Sequence, residues 1–374
     1  MKTIDVDQDY LLATLRALIA IPSPSGYTDN IVHFTCGELE KLGLPFELTR
    51  RGAIRADIKG KMEKPDRALV AHLDTLGAMV RELKPNGHVA ITPIGTWSSR
   101  FAEGARVTII KDHGMERGTI LPLLASGHAY GDDVDRQPVN WDQVEVRIDN
   151  TTPDKESLDK LGVQVGDYIS IDPCFEMTET GFINSRHLDD KAGVATLLAT
   201  AKALRDAKAE IPVDCHLLFT ISEEIGSGAS AILHRDIAEM VTVDNATVAE
   251  VQNSSVNGVT ICMLDSAGPF DYHLTHKLLQ LCRENDIVHR RDIFRYYKSD
   301  SASAIDAGND LRTSLVCFGL EGSHGYERVH IRSLIALARL LGAYVRSEPT
   351  FRRDKFELGS INGFPHQQED GSGS

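Results

Sequence analysis

His72 and Asp74 in AHLDT, Asp189 and Asp190 in HLDDKAG, Glu223 and Glu224 in ISEEIG, Asp244 in VTVDN and His324 in GSHGYER are acids and imidazoles of metal-ligating type. Each group closes or follows an apolar run, where a sheet would deliver it to a common edge. In a strand, alternate residues share a face, so His72 and Asp74 can approach one site together. A metal-bound imidazole is usually oriented by an acceptor on its other nitrogen, a job that suits Asp74. A carboxylate has two oxygens and can bridge two cations, the role expected of Asp189. Neighbouring residues after a strand point in different directions. Glu224 can therefore bind metal while Glu223 faces the open coordination position as general base. Two ligand sets follow: His72, Asp189 and Asp244 for one ion, and Asp189, Glu224 and His324 for the other. Mixed nitrogen and oxygen ligands with an open position suit zinc, with cobalt or manganese as alternatives. The chemistry would be that of a two-metal hydrolase.

Each fragment also has a plainer reading. An isolated His-x-Asp caps a turn, an Asp pair at a helix start serves the helix N-terminus, and a lone Glu-Glu is a solvated loop. A single Asp at a strand end or a His in a Gly-flanked loop is ordinary. The five occurring together, in this order, carry the inference. His273 and His276 lie in a helical run and read as surface or packing residues, while His330 opens the last helix and stays ambiguous. Ser25 and Ser222 have no triad-like context and G-x-S-x-G does not occur, so serine-nucleophile chemistry ranks low.

The positioning elements alternate. Residues 7–20 read as a helix with Leu11, Leu12, Leu15, Leu18 and Ile19 on one face, and a second helix covers 28–42 and stops at Gly43. PFELTR, AIRADIKG and ALVAHLD read as strands, the signature of an α/β sheet. From about 78 to 172 the texture becomes short β-like runs, AMVRELK, HVAITPIG, RVTIIKD, GTILPLLA, QVEVRID and DYISIDP, as in a small β-barrel or sandwich. One short helix interrupts them, with Thr152 as N-cap, Pro153 at its first position and Gly162 after its end. The α/β pattern returns from Phe182, and IRSLIALARLLGAYVRS closes it with Ile331, Leu334, Ile335, Ala338, Leu341 and Val345 at core spacing. The expected fold class is thus α/β, a three-layer mixed-sheet catalytic domain (1–76 and 174–365) interrupted by an inserted β domain (77–173). The tail 366–374 is polar, Gly/Ser-rich and expected to be disordered.

The length of 374 residues suits two domains rather than one core. A net charge of -14 leaves no basic surplus for nucleic acid or an anionic membrane surface. No apolar stretch nears the roughly 20 residues needed to span a bilayer. The acidic start lacks the character of a signal peptide, so a cytoplasmic location is expected. Cys36, Cys174, Cys215, Cys262, Cys282 and Cys317 show no CxxC spacing and read as buried reduced thiols.

AHLDTLG, RHLDDKAGVA, SEEIGSGA, VTVD and SHGYERVH together resemble the TET-type co-catalytic metallo-aminopeptidases, the group that includes bacterial glutamyl aminopeptidases. VRIDNTTPDKESLDKLGVQVGDYISID resembles the end of that family's inserted domain. The resemblance implies a dinuclear zinc site at His72, Asp189, Glu224, Asp244 and His324, with Glu223 as base and Asp74 supporting His72. It also implies removal of N-terminal residues from short peptides and self-assembly through the inserted domain into dimers or dodecamers. Two departures stand out: KSDSASA replaces a GGTDA-like loop, keeping only Asp300, and 104–142 differs from the usual insert. SHGYERVH and AIDAGNDLRT are similar to a subgroup associated with osmoprotectant N-acetylglutaminylglutamine amide systems. A dinuclear zinc deacylase or carboxypeptidase is the nearest alternative, and a non-catalytic assembly protein on the same scaffold the next. In the deacylase group the first two ligand motifs lie close together, whereas His72 and Asp189 are 117 positions apart.

Overall fold

A computed structural model describes residues 4–367, so most of the tail expected to be disordered lies outside the described residues. Four strands, Val213–Thr220, Met62–His72, Ile237–Thr247 and Arg312–Glu321, lie side by side in that order, all parallel. All eight residues of Val213–Thr220 are buried, which is why this strand reads as a continuous apolar run rather than an alternating one. Antiparallel strands flank the four and complete a mixed twelve-stranded sheet. Ile54–Ile58 pairs with Val213–Thr220, and Glu327–His330 pairs with Arg312–Glu321. Parallel strands end at one edge, and that edge of an open α/β sheet is where ligands bind.

Helix Gln8–Ala20 starts at Asp7, whose carboxylate accepts the Tyr10 amide at 2.9 Å, and it buries Leu11, Leu15, Leu18 and Ile19. Helix Asp29–Leu42 ends at Gly43, where φ of 69° needs a residue without a Cβ. Helix Leu188–Asp206 is buried on nearly all sides. It packs on Met62–His72 and Ile237–Thr247 and is covered by Gln8–Ala20 and by the closing helix Ile331–Arg346. On that last helix Ile331, Leu334, Ala338, Leu341 and Val345 are buried as the spacing predicts, while Ile335 is only partly covered. His330 is its N-cap: Nδ1 accepts the Arg332 amide at 3.0 Å.

Six strands close into a barrel in the order Gly77–Leu83, Val89–Ile94, Val144–Ile148, Met115–Pro122, Arg106–Ile110 and Tyr168–Ile171, so a barrel replaces the sandwich alternative. Val80, Val89, Ile91, Val107, Ile109, Ile120, Val146 and Ile169 form its separate core. The short helix within it is Lys155–Leu161, and its N-cap is Asp154, not Thr152. Asp154 accepts the Ser157 amide at 2.9 Å, whereas the Thr152 hydroxyl is drawn across to the Gly87 carbonyl at 3.1 Å. Two one-turn helices, Gly127–Tyr130 and Asp133–Arg136, and the strands Val259–Asp265 and His289–Ile293 carry no clear sequence signal. All six cysteines are free and four are buried, but Cys36 is half-buried and Cys174 exposed, against the expectation of burial.

Candidate metal centre

The strand Met62–His72 ends on His72, and Asp74 lies in the loop beyond it rather than on the same strand face. His72 is buried, and its Nδ1 donates to the backbone carbonyl of Asp74 at 2.9 Å. The Asp74 carboxylate stands 3.6 Å from the same nitrogen, so the main chain, rather than the side chain, is the nearer orienting group. That carboxylate, fully buried, accepts the Ser25 hydroxyl and the backbone amides of Glu223 (3.1 Å) and Glu224 (3.3 Å). It thereby fixes the loop that carries both glutamates.

Asp189 and Asp190 precede the regular part of their helix: Asp189 has an extended ψ of 108°, the peptide between them is cis, and no side chain caps the helix. The simple N-cap explanation therefore fails. Asp189 lies between two imidazoles, Oδ1 3.2 Å from His72 Nε2 and Oδ2 3.4 Å from His324 Nε2. Asp190 accepts the His72 amide at 3.2 Å and leaves its other oxygen buried without a partner. A Cβ on Gly193 would come within 2.2 Å of that oxygen, so glycine is required one turn into the helix.

Glu223 Oε2 is 3.7 Å from His72 Nε2, and Glu224 Oε2 is 3.7 Å from His324 Nε2. Donor atoms of His72, Asp189 and Glu224 all lie within 4.8 Å of one another. Asp244 does not end its strand, which continues to Thr247. It joins the site through Asn245, whose Nδ2 donates to Asp189 at 2.8 Å and to Asp244 at 3.2 Å. His324 sits in a turn at φ 64°, with Nδ1 donating to the Thr96 carbonyl of the barrel at 2.7 Å. Asp300 accepts the Thr220 hydroxyl at 2.6 Å and the Ala229 amide at 2.7 Å, holding the far end of the Glu223–Glu224 loop.

Sequence reasoning missed Glu327. Its buried carboxylate accepts the amides of Leu188 (2.7 Å), Asp189 (3.2 Å) and His324 (3.1 Å), tying together the two loops that carry Asp189 and His324. The one signal was its place in SHGYERVH, three residues after His324.

Burial dominates the electrostatics. It lifts Glu224 to about 8, against the opposing charge of His324 and helped by that of Asp189, and it lifts Asp244 to about 7 with the Asp189 charge second. Burial also holds Glu223 well above the usual carboxylate range. For His324 burial alone would lower the pKa, but the Asp189 carboxylate and the Glu224 charge outweigh it and lift it to about 10. Both imidazoles have Nδ1–H committed to a carbonyl, so in the neutral form each turns its Nε2 lone pair toward a carboxylate. With no ion bound, the raised pKa of each imidazole instead puts a proton on Nε2, toward the carboxylate at 3.2 and 3.4 Å. A divalent cation would take that proton's place, and the donor set suits one. A second cluster, Asp66, His216 and Asp236, also groups potential ligand atoms within 4.8 Å. There Arg55 already supplies the cation, 3.1 Å from His216 Nε2 and 3.5 Å from Asp236.

A narrow cleft opens over the first cluster, lined by Leu76 and Trp97 from the barrel side and by Arg186, Asp189, Glu224 and His324.

Residues 52–340 match the M42 glutamyl aminopeptidase family. YhfE of Bacillus subtilis (strain 168) is 36% identical over 334 residues, 89% of this chain and 96% of its own length. The chain belongs to the M42 family and is a metal-dependent aminopeptidase of that family. In fold, it is similar to the TET aminopeptidase from Thaumarchaeota archaeon SCGC AB-539-E09, with a TM-score of 0.83 at 18% identity, covering 90% of this chain and 96% of that one. The TET1 peptidase of Pyrococcus horikoshii, which can assemble into a tetrahedron or a large octahedral shell, gives a TM-score of 0.79 at 20% identity, covering 90% and 99%. Among the described residues no helix is long and apolar enough to cross a membrane.

Proposed function

We propose that the chain removes N-terminal residues from short peptides using a pair of divalent cations, zinc by donor chemistry, with Glu223 as general base. The observation that carries this reading is the Asp189 carboxylate set between two imidazoles that are each pinned by a backbone carbonyl. His72, Asp189 and Asp244 would hold one ion, and Asp189, Glu224 and His324 the other. When bound, such ions act as Lewis acids and lower the pKa of water to about 7. Glu223 is the acid left over: half-buried beside His72 and in neither ligand set, it can take a proton at Oε2 and return it to the leaving amine. Asp74 positions both glutamates through their amides, and Glu327 does the same for Asp189 and His324.

In this reading, residues 1–76 and 174–365 form the catalytic unit. The insertion 77–173 carries self-assembly into dimers or dodecamers in the cytoplasm, which sedimentation velocity reads directly. The family match favours the aminopeptidase over the deacylase alternative.

Glu223→Gln should keep its metal and its fold but lose about 10²–10⁴-fold in turnover of aminoacyl-arylamides. A chelator should abolish wild-type turnover, and Zn²⁺ or Co²⁺ should restore it. Full activity in the variant would remove Glu223 from the mechanism, and hydrolysis by metal-free protein would end the proposal.

A further inference from the structure

Arg186 lines the same cleft as Asp189, Glu224 and His324. It is half-buried, and among the described residues its guanidinium has no hydrogen-bond or ion-pair partner. Other shielded arginines are matched: Arg67 lies 3.1 Å from Glu239, and Arg312 lies 2.7 Å from both Asp271 and Asp354. Glu327, the acid whose field reaches Arg186, is already committed to three backbone amides. Burial accordingly pushes the Arg186 pKa down, the mark of a cation that lost water without gaining a full partner.

The backbone holds this side chain at the cleft. The Arg186 amide donates to the Pro173 carbonyl at 2.8 Å. The next residue, His187, takes a left-handed φ of 66° and donates Nε2–H to the Ile171 carbonyl at 3.1 Å. A guanidinium so placed presents a planar fork of donors that matches a carboxylate.

We propose that Arg186 is a specificity residue that anchors a carboxylate of the substrate beside the scissile bond. This rests on the peptidase reading above. A short peptide offers a carboxylate from two sources, the side chain of an acidic residue or the free C-terminus of a dipeptide, and both present the same chemistry to the fork.

The test compares the holoenzyme with Arg186→Gln and Arg186→Lys on two matched pairs: Glu- against Leu-p-nitroanilide, and Leu-Leu against Leu-Leu-amide. In Arg186→Gln the ratio of kcat/KM for the carboxylate-bearing member over its neutral match should fall at least about tenfold in one pair, chiefly through KM. Arg186→Lys should recover part of it. A fall in the first pair assigns the side chain as the source, and a fall in the second assigns the C-terminus. Equal losses on all four substrates, or no loss, would overturn the proposal. Calorimetric titration of Glu223→Gln and of the Glu223→Gln/Arg186→Gln double variant with Leu-Leu, Leu-Leu-amide, Glu-amide and Leu-amide should show the same ratio change in Kd. If wild type cleaves none of the four, the peptidase reading has failed, while the titration still decides the role of Arg186.

Discussion

Glu327 shows what a site needs beyond its ligands. One carboxylate accepts amides from the loops that present Asp189 and His324, so its charge sets the spacing of two donors without touching either side chain. Glu327→Gln puts an amide group, partly a donor, against three N–H groups. We expect metal affinity to fall about 10–100-fold, the usual cost of losing a supporting partner, measured by competition with a chromophoric chelator. Unchanged affinity with lost turnover would instead place Glu327 in the chemistry. At this scale the sequence exposed acids and imidazoles because they follow apolar runs. It could not expose acceptors belonging to the main chain. The carbonyls of Asp74 and Thr96 orient the two histidines, and a carbonyl has no residue type to read. Ser25, set aside as a nucleophile, is a donor to Asp74.

Among elements, a buried ion pair fastens the closing helix to the sheet. Arg67 on Met62–His72 lies 3.1 Å from Glu239 on Ile237–Thr247, donates to the Tyr344 carbonyl, and stacks 4.6 Å over the Tyr344 ring. Burial alone would raise Glu239, but the Arg67 charge, Lys277 and the Thr350 hydrogen bonds outweigh it and hold the carboxyl below its usual value. A depressed acid contributes stability above its unfolded pKa, near about 4.3, and that contribution drains away as pH falls through the lower folded value. Glu239→Gln leaves Arg67 buried and uncompensated, at a cost of about 3–5 kcal/mol near neutrality. The gap between wild type and variant in denaturant melts should then narrow as pH drops below about 4.3. A gap independent of pH would show that the charge of Glu239 is not what holds the pair. Elements like these were legible where periodicity is strong. Asp154 displaced Thr152 as a cap because a cross-loop bond claimed the threonine, a contact that local sequence does not encode.

Across the whole molecule, the inserted barrel reaches the candidate metal centre. The texture change after Gly77 and the long interval from His72 to Asp189 made the insertion readable, but not its grip on the site. Thr96, at the barrel rim, accepts from His324 at 2.7 Å, and a Cβ on the neighbouring Gly95 would crowd Leu76 at 2.5 Å and touch the Glu224 carbonyl at 3.4 Å. Trp97 anchors this rim: its ring lies edge-on to Trp141 at 4.7 Å between centroids, and its Nε1–H donates to the Gly77 carbonyl at 3.1 Å. Trp97→Ala should cost the fold about 3–5 kcal/mol, yet its larger consequence should appear at the catalytic edge. With the rim loose, the acceptor that fixes His324 moves, and displacements near 1 Å cost on the order of 100-fold in rate. We therefore expect kcat/KM to fall at least about tenfold in variant protein whose circular dichroism shows the barrel intact. Full kcat/KM in that folded variant would mean that His324 is positioned from its own loop alone, and that the barrel serves assembly or access rather than the geometry of the site.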